Sequence, residues 1–256
     1  MRRVPFVSFV GAGPGDPELI TLKGLRRLRT ANVIVHDRLV PRELLEEAPS
    51  DAEVVDAGKT PGRASAGQSH INWLLVDRAR RRGHVVRLKG GDPAVFARLG
   101  EEIEAVRGAG INFEVIPGVS AALAAAGRAG ISLTERGHTS TVILATGTDS
   151  EGEVPRLDWD LLARAEATLV FYMPVRGLEP ITAALTALGR GEREPALIVE
   201  RAGMTGEHVI AGRLGNIAAL AREAGVQPPA LLMIGPTLAA ASVPLSVRRA
   251  VTLTEV

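Results

Sequence analysis

The chain has 256 residues, enough for one large or two small domains with a hydrophobic core. It contains no cysteine, which excludes disulfides, thiolate metal sites and cysteine nucleophiles. A net charge of +1 and an aromatic content of 3% argue against a base-stacking nucleic-acid binder.

Arginine supplies nearly all of the positive charge, since Lys23, Lys59 and Lys89 are the only lysines among 30 basic residues. One interpretation is the compositional bias of a GC-rich or thermophilic genome. The other is a site for several carboxylates, because the guanidinium group pairs with carboxylates bidentately. The histidines lack the spacing of a zinc site, and no metal is expected. No apolar run approaches the ~20 residues of a membrane span, so a cytoplasmic location is expected.

Strands and helices alternate through the first half of the chain. Short apolar runs that end at glycine or polar residues predict buried strands at 5–10, 32–36, 52–58, 84–88 and 112–116. Apolar residues at helical spacing predict helices at 22–29, 68–82, around 99–106, and in the small-residue segment that follows 117–118. This alternation predicts an α/β domain with a parallel sheet and helices on both of its faces.

The pattern starts again after residue 137, with strands predicted at 141–147, 167–173, 195–200, 207–214 and 229–235. The third and fourth of these strands are only about six residues apart, too close for a crossover helix. They should therefore be antiparallel, which makes the second sheet mixed. We predict an N-terminal domain at 1–134, a C-terminal domain at 138–244 and a tail at 245–256.

Two glycine-rich turns, "VGAGPGDP" and "KGGDP", follow the first and fourth predicted strands. Asp16 stands where a dinucleotide fingerprint needs its third glycine, and no P-loop motif is present. Both turns are predicted at carboxyl ends of strands in one sheet, where α/β proteins bind ligands. The alternative is that each turn is an ordinary loop.

The segments "VGAGPGDPELITLKGLRRLRTANVIVHDRLV", "VVRLKGGDPAVFARLGEE", "PGVSAALAAAGRAGISLTERG" and "TLVFYMP" resemble the tetrapyrrole methylases. The resemblance covers nearly the whole chain, from about residue 6 to 235. It implies two α/β domains with S-adenosylmethionine held in a cleft between them, a homodimer, and no nucleic-acid or membrane partner. "HDRLV" with "LKGGDP" is the more selective part. It favours members that methylate C2 and C7 of uroporphyrinogen III, through precorrin-1 to precorrin-2, over members that act on later precorrins.

The resemblance also assigns roles to individual residues. The cofactor contacts that it implies are Pro14, Gly90, Gly91, Asp92, Val95, Ser120, Ala121, Met173 and Ala202. The acid–base residues are Asp37 and Lys59, whose alternatives are a helix-capping aspartate and a solvated lysine. Residues of the substrate trough are Arg38, Arg98, Glu101 and Arg136, suited to a substrate with eight carboxylates. The chain departs from the usual residues of the family at Ala97, Leu99, Pro174 and 202–206.

Two other classes of protein compete with this interpretation. A nicotinamide oxidoreductase would need the missing fingerprint glycine. A non-enzymatic binding module would leave the paired glycine turns, Asp37 and Lys59 without a purpose.

Overall fold

The computed structural model describes residues 4–58, 67–149 and 151–241. The chain divides into two compact units between Ala121 and Ala122. Lys59 and the predicted tail at 245–256 lie outside the described residues. Within the described ranges, no helix is long and apolar enough to cross a membrane.

The first unit contains a five-stranded parallel sheet, as the sequence predicts. Its strand order is β3-β2-β4-β1-β5. The strands are β1 (Phe6–Gly11), β2 (Val33–His36), β3 (Glu53–Asp56), β4 (His84–Lys89) and β5 (Asn112–Ile116). The helices are α1 (Leu22–Leu28), α2 (Arg42–Glu46), α3 (Gln68–Arg82) and α4 (Leu99–Gly108).

Both faces of this sheet are covered by apolar packing, which explains the continuous apolar runs of its central strands. On one face, residues such as Phe9 and Val85 pack with Leu75 of α3 and Val106 of α4. On the other face, the core includes Val10, Ile34, Val86 and Leu88, with Leu28 of α1 and Leu44 of α2. Because side chains alternate along a strand, Arg87 and Lys89 fall on the α3–α4 face with Val85.

The second unit contains a mixed five-stranded sheet, again as predicted, with the order β6-β7-β10-β8-β9. Strands β8 and β9 are antiparallel, whereas β6 and β7 are parallel. The strands are β6 (Val142–Thr146), β7 (Thr168–Tyr172), β8 (Pro195–Glu200), β9 (His208–Arg213) and β10 (Ala230–Ile234). The helices are α5 (Ala121–Ala129), α6 (Trp159–Arg164), α7 (Leu178–Ala187) and α8 (Ile217–Glu223).

The small-residue helix α5 belongs with the second unit, whereas the sequence-based division at 134–138 placed it with the first. Its contacts give the reason. The backbone N–H of Ala122 donates to the Tyr172 hydroxyl at 3.2 Å, and Arg128 pairs with Glu207 at 3.0 Å. The compact units therefore divide at the start of α5.

Candidate functional site

The two glycine-rich turns of the first unit are joined to each other. They follow β1 and β4, which are neighbours in the sheet, and Gly13 and Gly91 form an antiparallel bridge. The Gly91 N–H donates to the Gly13 carbonyl at 2.7 Å, and the Ala12 N–H donates to the Lys89 carbonyl at 2.8 Å. The prediction that both turns lie at one edge of one sheet is confirmed.

A third loop, after β5, approaches the same place. A Cβ atom built on Gly118 would lie 2.4 Å from the Gly91 carbonyl oxygen, and one on Gly11 would lie 2.5 Å from the Gly118 nitrogen. Real Cβ atoms do not come so close, so these two glycines are needed for the packing of backbone against backbone. The loops after β1, β4 and β5 form one interlocked layer, which we call the glycine layer (residues 11–13, 90–92 and 118).

Gly90 and Gly91 differ from the packed glycines because no described residue crowds the space beside them. Among the described residues, a Cβ on Gly90 would meet only the Leu39 Cβ at 3.5 Å, and a Cβ on Gly91 would meet only the Ala121 nitrogen at 3.9 Å. Gly91 also has a φ of +68°, which favours glycine. This half-buried pair leaves room for a ligand to approach the backbone.

Asp92 uses both carboxylate oxygens within the first unit. Oδ1 accepts from the Ala94 N–H at 2.8 Å, and Oδ2 accepts from the Gly118 N–H at 3.0 Å. The sequence interpretation had Asp92 pair with a ligand. The structure shows that its side chain also ties the loop after β4 to the loop after β5.

The remaining residues assigned to the cofactor fall into two groups. Those of the first unit are the buried Pro14 and Ser120 and the half-buried Val95 and Ala121. In the second unit, Met173 follows β7 and Ala202 follows β8. Ala202 is buried, but Met173 is 50% exposed and has a left-handed φ of 54°. Met173 is therefore not part of a hydrophobic core, and its strained backbone is typical of functional positions.

Asp37 lies directly after β2, beside the end of β4. Its N–H donates to the Leu88 carbonyl at 3.1 Å, and its Oδ1 accepts from Arg87 Nη2 at 2.5 Å. The alternative of a helix-capping aspartate is wrong, because the N-cap of the following helix α2 is Pro41 and that cap has no side-chain hydrogen bond.

Sequence reasoning missed the buried charges behind Asp37. Arg87 Nε donates to Glu102 Oε1 at 3.1 Å, and Lys89 Nζ donates to Glu102 Oε2 at 2.8 Å. Burial and the nearby Arg87 charge lower the pKa of Lys89, while Glu102 opposes the shift. A signal was available, since Arg87 and Lys89 are two residues apart in an otherwise apolar strand and so share a face.

The residues assigned to the substrate trough are all exposed. Arg98 and Glu101 form a bidentate pair, with Nε–Oε1 and Nη2–Oε2 distances of 2.7 Å each. The hydrogen bond from Arg98 lowers the pKa of Glu101. Arg38 follows Asp37 directly, and Arg136 lies in a turn closed by the Glu135–Thr139 bridge of the second unit. No cluster of three or more potential metal ligands occurs among the described residues, and Lys59 lies outside them.

Comparison with known families gives a match to the Tetrapyrrole (Corrin/Porphyrin) Methylases over residues 7–218. The chain belongs to the tetrapyrrole methylase family. A uroporphyrinogen-III C-methyltransferase of Priestia megaterium is 40% identical over 229 residues, covering 90% of this chain and 96% of that protein. A siroheme synthase of Pseudoalteromonas atlantica is 45% identical over 90% of this chain but only 49% of its own length. The chain thus spans about half the length of the siroheme synthases that it matches.

Among solved structures, a uroporphyrin-III C-methyl transferase from Thermus thermophilus, complexed with S-adenyl homocysteine, is similar at a TM-score of 0.78. It is 41% identical, and the match covers 91% of this chain and 92% of that one. The tetrapyrrole methylase fold, with one parallel and one mixed α/β sheet, is therefore confirmed.

Proposed function

We propose that this chain is an S-adenosylmethionine-dependent methyltransferase that methylates uroporphyrinogen III at C2 and then C7, passing through precorrin-1 to precorrin-2. The observation that carries the proposal is the glycine layer with Asp37 on the adjacent strand end, in a chain that matches a uroporphyrinogen-III C-methyltransferase over nearly its full length. The activity would serve an early step of sirohaem or cobalamin formation.

The first unit has a suitable place for the methyl donor. The open space beside Gly90 and Gly91 allows a ligand to approach the backbone of this turn closely. We assign Pro14, Gly90, Gly91, Asp92, Val95, Ser120, Ala121, Met173 and Ala202 to the binding of S-adenosylmethionine. When bound, this donor supplies an electrophilic methyl group on a sulfonium sulfur.

Asp37 is assigned the role of base. When a carbon of the macrocycle forms its bond to the methyl group, the carbon–sulfur bond breaks and the macrocycle must lose a proton. Asp37 Oδ1 is held by Arg87, and among the described residues Oδ2 has no hydrogen-bond partner. Oδ2 is therefore the atom that accepts the proton. We assign Lys59 as a second acid–base group.

The exposed residues Arg38, Arg98, Glu101 and Arg136 are assigned to the substrate. Guanidinium groups match the substrate's carboxylates, which are fully ionised at neutral pH. The Arg98–Glu101 pair holds the Arg98 fork in one orientation, and a substrate carboxylate would approach its remaining donor atoms. We also propose a homodimer, which the mass of the particle in solution would test.

The decisive experiment uses S-adenosylmethionine with an isotopically labelled methyl group and uroporphyrinogen III, with the products read by mass. Two labelled methyl groups per macrocycle are expected, together with two equivalents of S-adenosylhomocysteine. Labelling of a later precorrin but not of uroporphyrinogen III would instead support the alternative methyltransferase. Absence of transfer to either substrate would overturn the proposal.

A further inference from the structure

Four charged side chains lie together at the carboxyl end of the α3–α4 face of the first sheet. We call them the Arg87 cluster: Asp37, Arg87, Lys89 and Glu102. The side chains of Arg87, Lys89 and Glu102 are only 3%, 2% and 1% exposed. Asp37, at 34%, is the one member that reaches the surface.

A buried cluster of charges does little for stability. Removing charges from water is costly, and well-packed apolar residues often serve a core as well or better. Val85 lies two residues before Arg87 on the same face of β4, and it is apolar and packs against α3 and α4. Apolar packing is therefore possible on this face. The Arg87 cluster therefore calls for an explanation other than stability.

The hydrogen bonds form a chain that leads from the core to Asp37. Lys89 Nζ donates to Glu102 Oε2 at 2.8 Å, and Glu102 Oε1 accepts from Arg87 Nε at 3.1 Å. Arg87 Nη1 also donates to the Val35 carbonyl at 3.3 Å, which holds the plane of the guanidinium group. The outer nitrogen of that plane, Nη2, meets Asp37 Oδ1 at 2.5 Å.

The charges of the Arg87 cluster balance when Asp37 is ionised, with two cations and two carboxylates. Glu102, shared by Lys89 and Arg87, holds the Nε edge of the Arg87 guanidinium group.

We propose that Arg87 is a positioning residue for the methylation reaction: it fixes the Asp37 carboxylate with Oδ1 bound and Oδ2 presented to the substrate, while Glu102 and Lys89 hold Arg87 in place. The inference rests on the proposed role of Asp37 as a base. Arg87 itself touches neither substrate nor cofactor in this assignment.

The test compares Arg87→Lys and Glu102→Gln with a matched control, Arg190→Lys. Arg190 is likewise buried, at 4% side-chain exposure, with bidentate bonds to Glu194 and bonds to backbone carbonyls, but it lies in the second unit. A lysine at 87 keeps the charge but cannot hold Glu102 and Asp37 in one rigid plane.

For Arg87→Lys we expect kcat to fall at least about tenfold, because small displacements of a reacting group are costly in rate. The KM for uroporphyrinogen III and the Kd for S-adenosylmethionine measured by calorimetry should each change less than about threefold, because Arg87 touches neither ligand. The other charged or titratable groups around Asp37 are Lys89, Glu102, Arg38 and His36, whose Nδ1 lies 3.0 Å from the Asp37 carbonyl. These groups are unchanged in Arg87→Lys.

Glu102→Gln keeps the shape of the side chain, and it provides a second test of the cluster if the Arg87 variant does not fold. It should produce a smaller loss of kcat in the same direction. Arg190→Lys should lower the melting temperature but leave kcat and KM as in the unaltered protein.

The outcomes separate this inference from the proposed function. If Asp37→Asn abolishes turnover while both cluster variants, folded by circular dichroism, keep normal kcat, the positioning role is overturned and the base survives. If Asp37→Asn leaves turnover intact, the base and the positioning role both fail. If Arg190→Lys loses as much activity as Arg87→Lys, the effect of the Arg87 substitution comes from lost stability, and the positioning role is overturned.

Discussion

Glycines that lie close together in the structure have different physical roles in the glycine layer. Gly11 and Gly118 are needed because backbone packs against backbone, with no room for a Cβ atom. Gly90 has room for one and has no left-handed backbone angle, yet it is glycine. Because no contact among the described residues requires glycine at this position, Gly90 is a candidate for backbone that a ligand approaches closely.

Replacing Gly90 by alanine tests this directly. The new methyl group would make ordinary contact with Leu39, so the free energy of unfolding should change by less than about 1 kcal/mol. If a ligand occupies the space, its affinity should fall about tenfold or more, since a well-packed contact cannot absorb an extra carbon. Calorimetry with S-adenosylmethionine measures the effect.

Gly108→Ala is the matched control, since a Cβ there meets nothing within 4 Å and the residue ends α4. It should leave both affinity and stability nearly unchanged. Equal affinities for the Gly90→Ala variant and the control would show that no ligand lies against Gly90.

Asp37 and Asp158 make a second informative pair. Asp158 caps α6, where its carboxylate accepts from the Leu161 N–H at 3.0 Å, whereas Asp37 caps no helix and binds Arg87. For Asp37→Asn we expect kcat to fall about 10²–10⁴-fold, as for loss of a general base. Stability should fall by about 1–3 kcal/mol, because Arg87 loses a charged partner.

Asp158→Asn should cost at most about 0.5 kcal/mol, because asparagine caps almost as well, and should leave kcat unaltered. Single-turnover rates and thermal melts on both variants supply the comparison. Turnover of Asp37→Asn within twofold of normal would contradict its role as base.

At the scale of the element, the first turn of α4 directs adjacent glutamates to opposite environments. Glu101 is exposed and pairs with Arg98, whereas Glu102 is buried and pairs with Arg87 and Lys89. Successive helical residues point about 100° apart, so one turn can carry a surface pair and a core ion pair together. Both acids also lie near the amino-terminal, positive end of the helix dipole.

Replacing Arg98 by lysine keeps a positive charge at this turn but removes the planar fork. If Arg98 binds a substrate carboxylate, KM for uroporphyrinogen III should rise about three- to tenfold, with Kd for S-adenosylmethionine unchanged. Arg107→Lys, in the last turn of the same helix and over the Phe113 ring, should change neither constant. A weakened cofactor affinity with normal KM would show that Arg98 serves the other ligand.

The sequence was sufficient to predict most elements of the first unit, although not the short helix α2, and several relations between elements. The alternation of strands and helices predicts the parallel sheet of the first unit. The short connection between β8 and β9 predicts their antiparallel pairing, because it is too short for a crossover helix. The pairing of Asp37 with Arg87, fifty residues away, cannot be obtained from periodicity. Nor can the grouping of α5 with the second unit, which depends on tertiary contacts to Tyr172 and Glu207.

At the scale of the whole molecule, stability should depend on pH through Glu114 of β5. Burial acts to raise the pKa of Glu114, but hydrogen bonds from Arg27, Lys23 and Ser8 outweigh it and lower the pKa from 4.5 to about 2. A carboxyl group with a depressed pKa in the folded state contributes stability above its unfolded pKa. That contribution is lost as the pH falls from about 4.5 through about 2.

We expect the loss to be at most about 3 kcal/mol, reduced by solvent screening because Lys23 and Arg27 are 57% and 40% exposed. Urea unfolding between pH 5 and pH 2 measures it. Glu114→Gln should reduce the pH dependence of the free energy of unfolding between pH 5 and pH 2. Glu104→Gln, at an exposed position, should leave this pH dependence unchanged. A slope unaffected by Glu114→Gln would show that other groups set the acid sensitivity.

The glycine layer also limits where this protein can vary. A single added carbon at Gly11 or Gly118 would push apart loops that belong to three strands, so random substitution there is lost at the level of folding, before any ligand is tested. The three arginines and one glutamate that we assign to the substrate, Arg38, Arg98, Glu101 and Arg136, are exposed and can be exchanged one at a time. If these side chains bind the substrate as proposed, a new substrate would be acquired by changing them while the glycine layer stays as it is, and libraries for altered specificity belong at those positions.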